Sequence, residues 1–148
     1  MPTNRIQIVM KDKPSVIVFN EQIFTVGQNT FLESVMENEN AVVFEDNEET
    51  GYFYAVNFNK NFDILDALHI YNVNEVVDKQ IQSSIKILWT IDLSKAILSI
   101  NNYYYAIFDF KNKAGYCRNG FPNSRSEWTL IKERELTDEF IITLFQNH

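Results

Sequence analysis

IKILWTIDLSKAILSINNYYYAIFDF, residues 85–110, decides the fold. Ile85, Ile87, Trp89 and Ile91 interleave with Lys86, Leu88 and Thr90, and beyond a polar turn at 92–94, Ala96, Leu98 and Ile100 interleave with Ile97 and Ser99. Side chains on an extended strand point alternately to opposite faces, so each set lines one face of a sheet. Asn101-Asn102 falls where a two-residue hairpin turn is needed, and Asn tolerates the left-handed conformation that a type I′ turn demands. Residues 103–110 complete a three-stranded meander, and Lys113-Ala114-Gly115 turns into a fourth strand around Tyr116-Cys117.

Working outward, 41–44 and 51–58 are β-type runs on either side of EDNEET, a loop too charged to bury, and they read as a hairpin whose Gly51 suits a positive φ. Along its second arm Tyr52, Tyr54, Val56 and Phe58 share one face while Phe53, Ala55 and Asn57 share the other. Both faces are largely apolar, so one of them is open to covering by another layer. Short strands are expected at 5–10, 15–19, 22–26 and 30–36. The stretch DILDALHIYNV mixes helical spacing with a β-like ending and is read as a strand at 67–73. At the C-terminus Leu136, Phe140, Ile141, Leu144 and Phe145 lie on one helical face, with Thr137 as N-cap, Asp138 and Glu139 in the first turn and a Leu136–Ile141 staple. The expected fold is α+β: one domain over 1–148, mostly antiparallel sheet with a C-terminal helix packed on it. The pattern leaves sandwich and partly open barrel as alternatives.

Composition narrows the function classes. At 148 residues the chain is long enough to bury roughly two thirds of the surface its unfolded form exposes. One cysteine, Cys117, allows no intrachain disulfide and fits a reducing compartment. The N-terminal MPTNRIQIVMKDK lacks the apolar run of a signal peptide, and no segment approaches the ~20 apolar residues that span a bilayer, so cytoplasmic residence is the expectation. Charge is regional. Between Lys13 and Lys60 there is no Lys or Arg but eight acids: Glu21, Glu33, Glu37, Glu39, Glu45, Asp46, Glu48 and Glu49. The totals are 13 basic and 20 acidic residues, so everything else carries 13 − 12 = +1. Such a patch attracts basic partners and repels nucleic acid and anionic lipid.

The residues offer no reaction. Cys117 and His69 are the available thiol and in-core imidazole, and nothing in the spacing brings them together as a nucleophile and base. One thiol and two histidines fall short of a zinc set. Carboxylates adjacent on a hairpin tip cannot straddle a glycosidic bond. Asp46, Glu48, Thr50 and Gly51 imitate the first half of a calcium loop, but Asn57 stands where the bidentate Glu belongs. GxxxxGK[ST], GxGxxG, GxSxG and HExxH are all missing. Tyr103, Tyr104 and Tyr105 beside Lys111, Lys113 and Arg118 are read as sheet packing rather than as a base-stacking platform, given a net charge of −7. No cofactor or metal is expected.

AVVFEDNEETGYFYAV, ILDALHIYNV, the meander and GYCRNGFP together resemble a bacterial family of domains of unknown function, number 2251, over roughly residues 40–122. Where that family has an Asn-Gly turn, this chain has Asn101-Asn102, which preserves the turn. The resemblance implies one compact bacterial domain and brings no catalytic residues with it.

Two function classes follow. The first is an acidic binding protein, of the kind that occludes a basic toxin or effector as an immunity protein does. Glu45, Asp46, Glu48 and Glu49 would steer the partner, and Tyr52 and Tyr54 would anchor it. The alternative is an enzyme or small-ligand site assembled from Asp66, His69, Tyr71, Asp109 and Arg118. A concave pocket uniting His69 with a carboxylate and Arg118 favours the second; a flat or convex acidic face favours the first. Oligomeric state and the role of residues 1–40 are not legible in the sequence.

Overall fold

The computed structural model describes residues 16–61, 63–119 and 126–146; the strand expected at 5–10 lies outside them. The described strands are β1 Val16–Phe24, β2 Thr30–Val35, β3 Asn40–Asp46, β4 Thr50–Asn57, β5 Asp63–Asn72, β6 Ser83–Thr90, β7 Lys95–Ile100, β8 Tyr103–Asp109 and β9 Ala114–Cys117, followed by helix α1 Asp138–Gln146. They form two antiparallel sheets, one of five strands in the order β1-β6-β7-β8-β9 and one of four in the order β2-β3-β4-β5. The fold is α+β, without a closed barrel.

The meander forms where its alternation and turns coincide. Asn101 and Asn102 have φ of 53° and 64°, the mirror-image turn that their side chains tolerate. The β6–β7 turn is built around Asp92, whose carboxylate accepts from the Thr90 hydroxyl at 2.8 Å and the Ser94 hydroxyl at 2.8 Å. Partial burial opposes its charge, but these donors prevail and hold its pKa down to about 2. The turn ends the alternation one residue early, so Ile91 faces solvent instead of extending the apolar face.

Two expectations change. The runs at 15–19 and 22–26 are one strand, β1, because the polar Asn20-Glu21 lies within an edge strand with a register shift between Val18 and Asn20, and Glu21 pairs with Lys86 across to β6. β5 starts at Asp63 rather than at 67. Its polar start is admissible because Asp66, fully buried, pairs with Arg134 and accepts from the Thr129 hydroxyl at 2.6 Å. The stretch 126–136 thereby crosses between the sheets, with Arg134 Nε donating to the Gly115 carbonyl at 2.9 Å and the Ser126 hydroxyl to that of Leu65 at 3.1 Å.

The inner faces of the two sheets close the core. Val42, Phe44, Phe53, Ala55 and Leu68 meet Ile85, Ile87, Trp89, Leu98 and Phe108, and the Phe53 and Phe108 rings stack at 5.1 Å. Burying each such large side chain contributes about 1.5–3 kcal/mol. On the far face of the five-stranded sheet Leu88, Ile97 and Ile107 lie under Leu136, Phe140, Ile141, Leu144 and Phe145. Thr137 caps α1 by accepting from the Phe140 N–H at 3.0 Å, as its position predicts.

A buried hydrogen bond joins the two sheets: the Trp89 indole N–H on β6 donates to Ser34 Oγ on β2 at 2.9 Å. Ser34→Ala leaves that donor buried and unpaired and should lower the unfolding free energy by about 1–3 kcal/mol. Denaturant titration measures it, and an unchanged midpoint would contradict the role given to this bond.

Candidate functional site

The β3–β4 tip is anchored from beneath by Asp46. This carboxylate is fully buried and accepts from the Tyr71 hydroxyl at 2.6 Å, the Gly27 N–H at 2.7 Å and the Glu48 N–H at 2.8 Å, tying together β5, the β1–β2 corner and its own loop. Asp46 was expected among the exposed steering acids; it is instead a structural hub, because a buried carboxylate persists only where donors surround it. Gly51 also differs from expectation. It is Glu48, not Gly51, that adopts a positive φ, at 83°. Gly51 is needed because any Cβ there would lie 2.5 Å from the Tyr71 ring. Asn47 closes the tip by accepting from the Glu49 and Thr50 N–H groups at 3.0 and 2.8 Å, leaving Glu48 and Glu49 exposed.

Glu45 points the other way, onto the outer face of the four-stranded sheet. Phe31 pairs with Glu45, Glu45 with Tyr52 and Tyr52 with His69, so one row crosses all four strands. The next row is Glu33, Val43, Tyr54 and Ala67. Cross-strand partners share a face. The His69 ring stacks on Tyr52 at 4.9 Å, Tyr52 stacks on Tyr54 at 5.7 Å, and the Tyr54 hydroxyl donates to Glu45 Oε1 at 3.3 Å. His69 Nε2 lies 2.9 Å from Asn72 Oδ1. Phe31 is 61% exposed. Below the rings Ala41, Val43 and Val56 are buried under Val35 and Tyr54. Among the described residues no helix or further strand lies across this face. Tyr52 and Tyr54 are thus on one accessible face with Glu45, as the alternation along β4 predicts. Phe31 and His69 were not anticipated there, although the alternation Phe31, Glu33, Val35 is readable in β2 once its edge position is known.

The residues expected to form an alternative enzyme site are dispersed. Asp66 is paired with Arg134, and Tyr71 with Asp46. Asp109 accepts from the Asn112 side chain at 2.8 Å. Arg118 lies against α1: its guanidinium reaches Asp138 at 2.8 Å, donates from Nε to the Tyr104 carbonyl at 2.8 Å and sits 4.3 Å over the Tyr103 ring. Cys117 is buried, its thiol pushed up by that burial, and its sulfur meets the backbone carbonyl of His69 at 3.7 Å rather than the imidazole. A cleft of about 280 Å³ opens at the end of the sheets between Phe24, Val26, Tyr71, Val76, Ile100 and Tyr105. Of the five residues only Tyr71 lines it.

Burial first and the Glu45 carboxylate second push the Tyr54 phenol up to about 12. Glu45→Gln should bring its ionisation back toward the ordinary value of 10.0, read from Tyr54 ring resonances in an alkaline titration; an unmoved midpoint would contradict the contact. Tyr71 is raised further, by burial and then by Asp46. A phenol whose folded pKa lies above its unfolded one stabilises fully below about pH 10 and loses that contribution as pH climbs toward the folded value. Tyr71→Phe should therefore be destabilised at neutral pH and lose less stability than the parent between about pH 10 and 12, measured by urea unfolding at each pH. Parallel curves for the two proteins would contradict this.

The described helix is too short to cross a membrane. No solved structure matches the chain. An "Uncharacterized protein" of Haemophilus influenzae is 41% identical over 92 residues, which is 60% of this chain and 57% of that protein, so the match spans little over half of the relative's length. The family DUF2251, described as "Uncharacterized protein conserved in bacteria", matches residues 24–145, from the end of β1 through most of α1. The chain belongs to the DUF2251 family.

Proposed function

We propose that this chain is a binding protein that captures a basic protein on the outer face of its four-stranded sheet, in the manner of a cytoplasmic immunity protein occluding a toxin or effector. The observation that carries this reading is the row Phe31, Glu45, Tyr52 and His69, flanked by Tyr54 and Glu33, on a face with no described element over it. Strands β2 to β5 contain no Lys or Arg. Aromatic side chains bury large areas at low entropic cost and dominate interface energetics, while surrounding carboxylates speed the encounter with a cationic partner. The tip acids Glu48 and Glu49 extend the same charge beyond the sheet. Asp46 contributes differently, by holding the tip in place before any partner arrives, so that less ordering is required on binding. The dispersal of Asp66, Tyr71, Asp109 and Arg118 into internal contacts weighs against an enzyme site around His69 and Arg118.

Affinity purification of the tagged protein from its native host at low salt, in parallel with the variant Glu45→Gln/Glu48→Gln/Glu49→Gln, tests this reading. The expected result is one stoichiometric basic protein, released as salt rises, whose association with the variant is slower by about tenfold at low ionic strength and flatter in its salt dependence. Recovery of the chain alone, or an on-rate unaffected by removing the three charges, would contradict the proposal.

A further inference from the structure

We propose a second site, separate from the partner-binding face: the cleft at the end of the two sheets binds an uncharged aromatic molecule of about two fused rings. The cleft is continuous with the core. Phe24 and Ile100, both buried, line it from the five-stranded sheet, Tyr71 lines it from the four-stranded sheet, and the connection between β5 and β6 supplies Val76 and Ile81. Volume sets the size of the occupant. An apolar cavity of about 150 Å³ takes one benzene ring, and this cleft encloses about 280 Å³. Charge sets its chemistry. Asp78 and Lys79 are the charged residues of the lining, and they are adjacent, exposed and opposite in sign. An ion entering there gives up hydration for no net attraction. An uncharged ring instead covers the half-exposed apolar surface of Val26, Val76 and Tyr105. Gln82 and Ser83 add an amide and a hydroxyl to the lining, suited to a single polar group on the ring.

The segments that line the cleft are tied down by hydrogen bonds of their own. The Val73 N–H donates to the Glu49 carbonyl at 2.9 Å and Lys79 Nζ to the Val73 carbonyl at 3.3 Å, which fastens the β5–β6 connection to the β3–β4 tip. At the β7–β8 turn Asn101 Oδ1 accepts from the Ser84 N–H at 2.9 Å and Asn101 Nδ2 donates to Ser83 Oγ at 3.3 Å, which fastens that turn to the start of β6. The cleft is therefore a feature of the folded chain, and a ligand does not have to form it on arrival.

The full chain is titrated with indole and, separately, with indole-3-acetate, and binding is followed in the NMR signals of Val76, Ile81, Ile100 and Tyr105. Indole should bind saturably with a dissociation constant of about 1 mM or below. The anion, which carries the same rings, should bind about tenfold more weakly. Val76→Trp fills the cleft and should abolish indole binding. Ile81→Asp alters a side chain that is 62% exposed, which folding tolerates, and should weaken indole even if the tryptophan variant is poorly folded. The expected loss for Ile81→Asp is about fivefold. Shifts that do not saturate, a response outside the cleft residues, equal affinity for the anion, or indole affinity unmoved by Ile81→Asp would overturn the assignment.

Discussion

Two sheets have four faces, and the described elements cover three of them. The inner faces cover each other around Phe44, Phe53, Trp89 and Phe108, and α1 covers the outer face of the five-stranded sheet. Among the described residues no helix or further strand covers the outer face of the four-stranded sheet, which carries Phe31, Tyr52, Tyr54 and His69. Phe31 is exposed and the other three are half-buried, and aromatics gathered on one partly open sheet face are a common feature of interaction surfaces. Their carboxylate neighbours restrict the kind of partner.

The hairpin tip beside this face is tied down from within. Asp46 is a buried charge that the chain keeps by surrounding it with donors from three separate segments, so the tip acids project from a fixed base rather than a loose loop. The Asp66–Arg134 pair acts similarly on β5 of the same sheet, fastening 126–136 across β5 and β9. Partners that dock on a preformed face lose less conformational entropy, and with an electrostatic field to guide them they associate quickly.

Much of this was legible in the sequence, for physical reasons that differ by element. The meander could be read because its period and its turn residues are local and agree; Asn101-Asn102 marks the turn where the alternation requires one. The helix could be read because capping by Thr137 and the spacing of its apolar residues are also local. The tip was read as uniformly exposed because no local signal distinguishes Asp46 from Glu48: its partners Tyr71 and Gly27 lie 25 and 19 residues away. The placement of His69 beside Tyr52 escaped for a related reason, since it depends on a register shift in the β4–β5 ladder next to Gly51. β1 was split in two because Asn and Glu in mid-strand imitate a turn, a pattern that only an edge position makes acceptable.

On the binding proposal, the partner docks on the outer face of the four-stranded sheet and not on α1. Site-specific photo-crosslinking of the co-purified complex tests it most directly, with p-benzoylphenylalanine placed once at Phe31, beside Glu45 on that face, and once at Ile142, exposed on the helix. The partner should be captured from position 31 and not from position 142. Capture from 142 with none from 31 would contradict it.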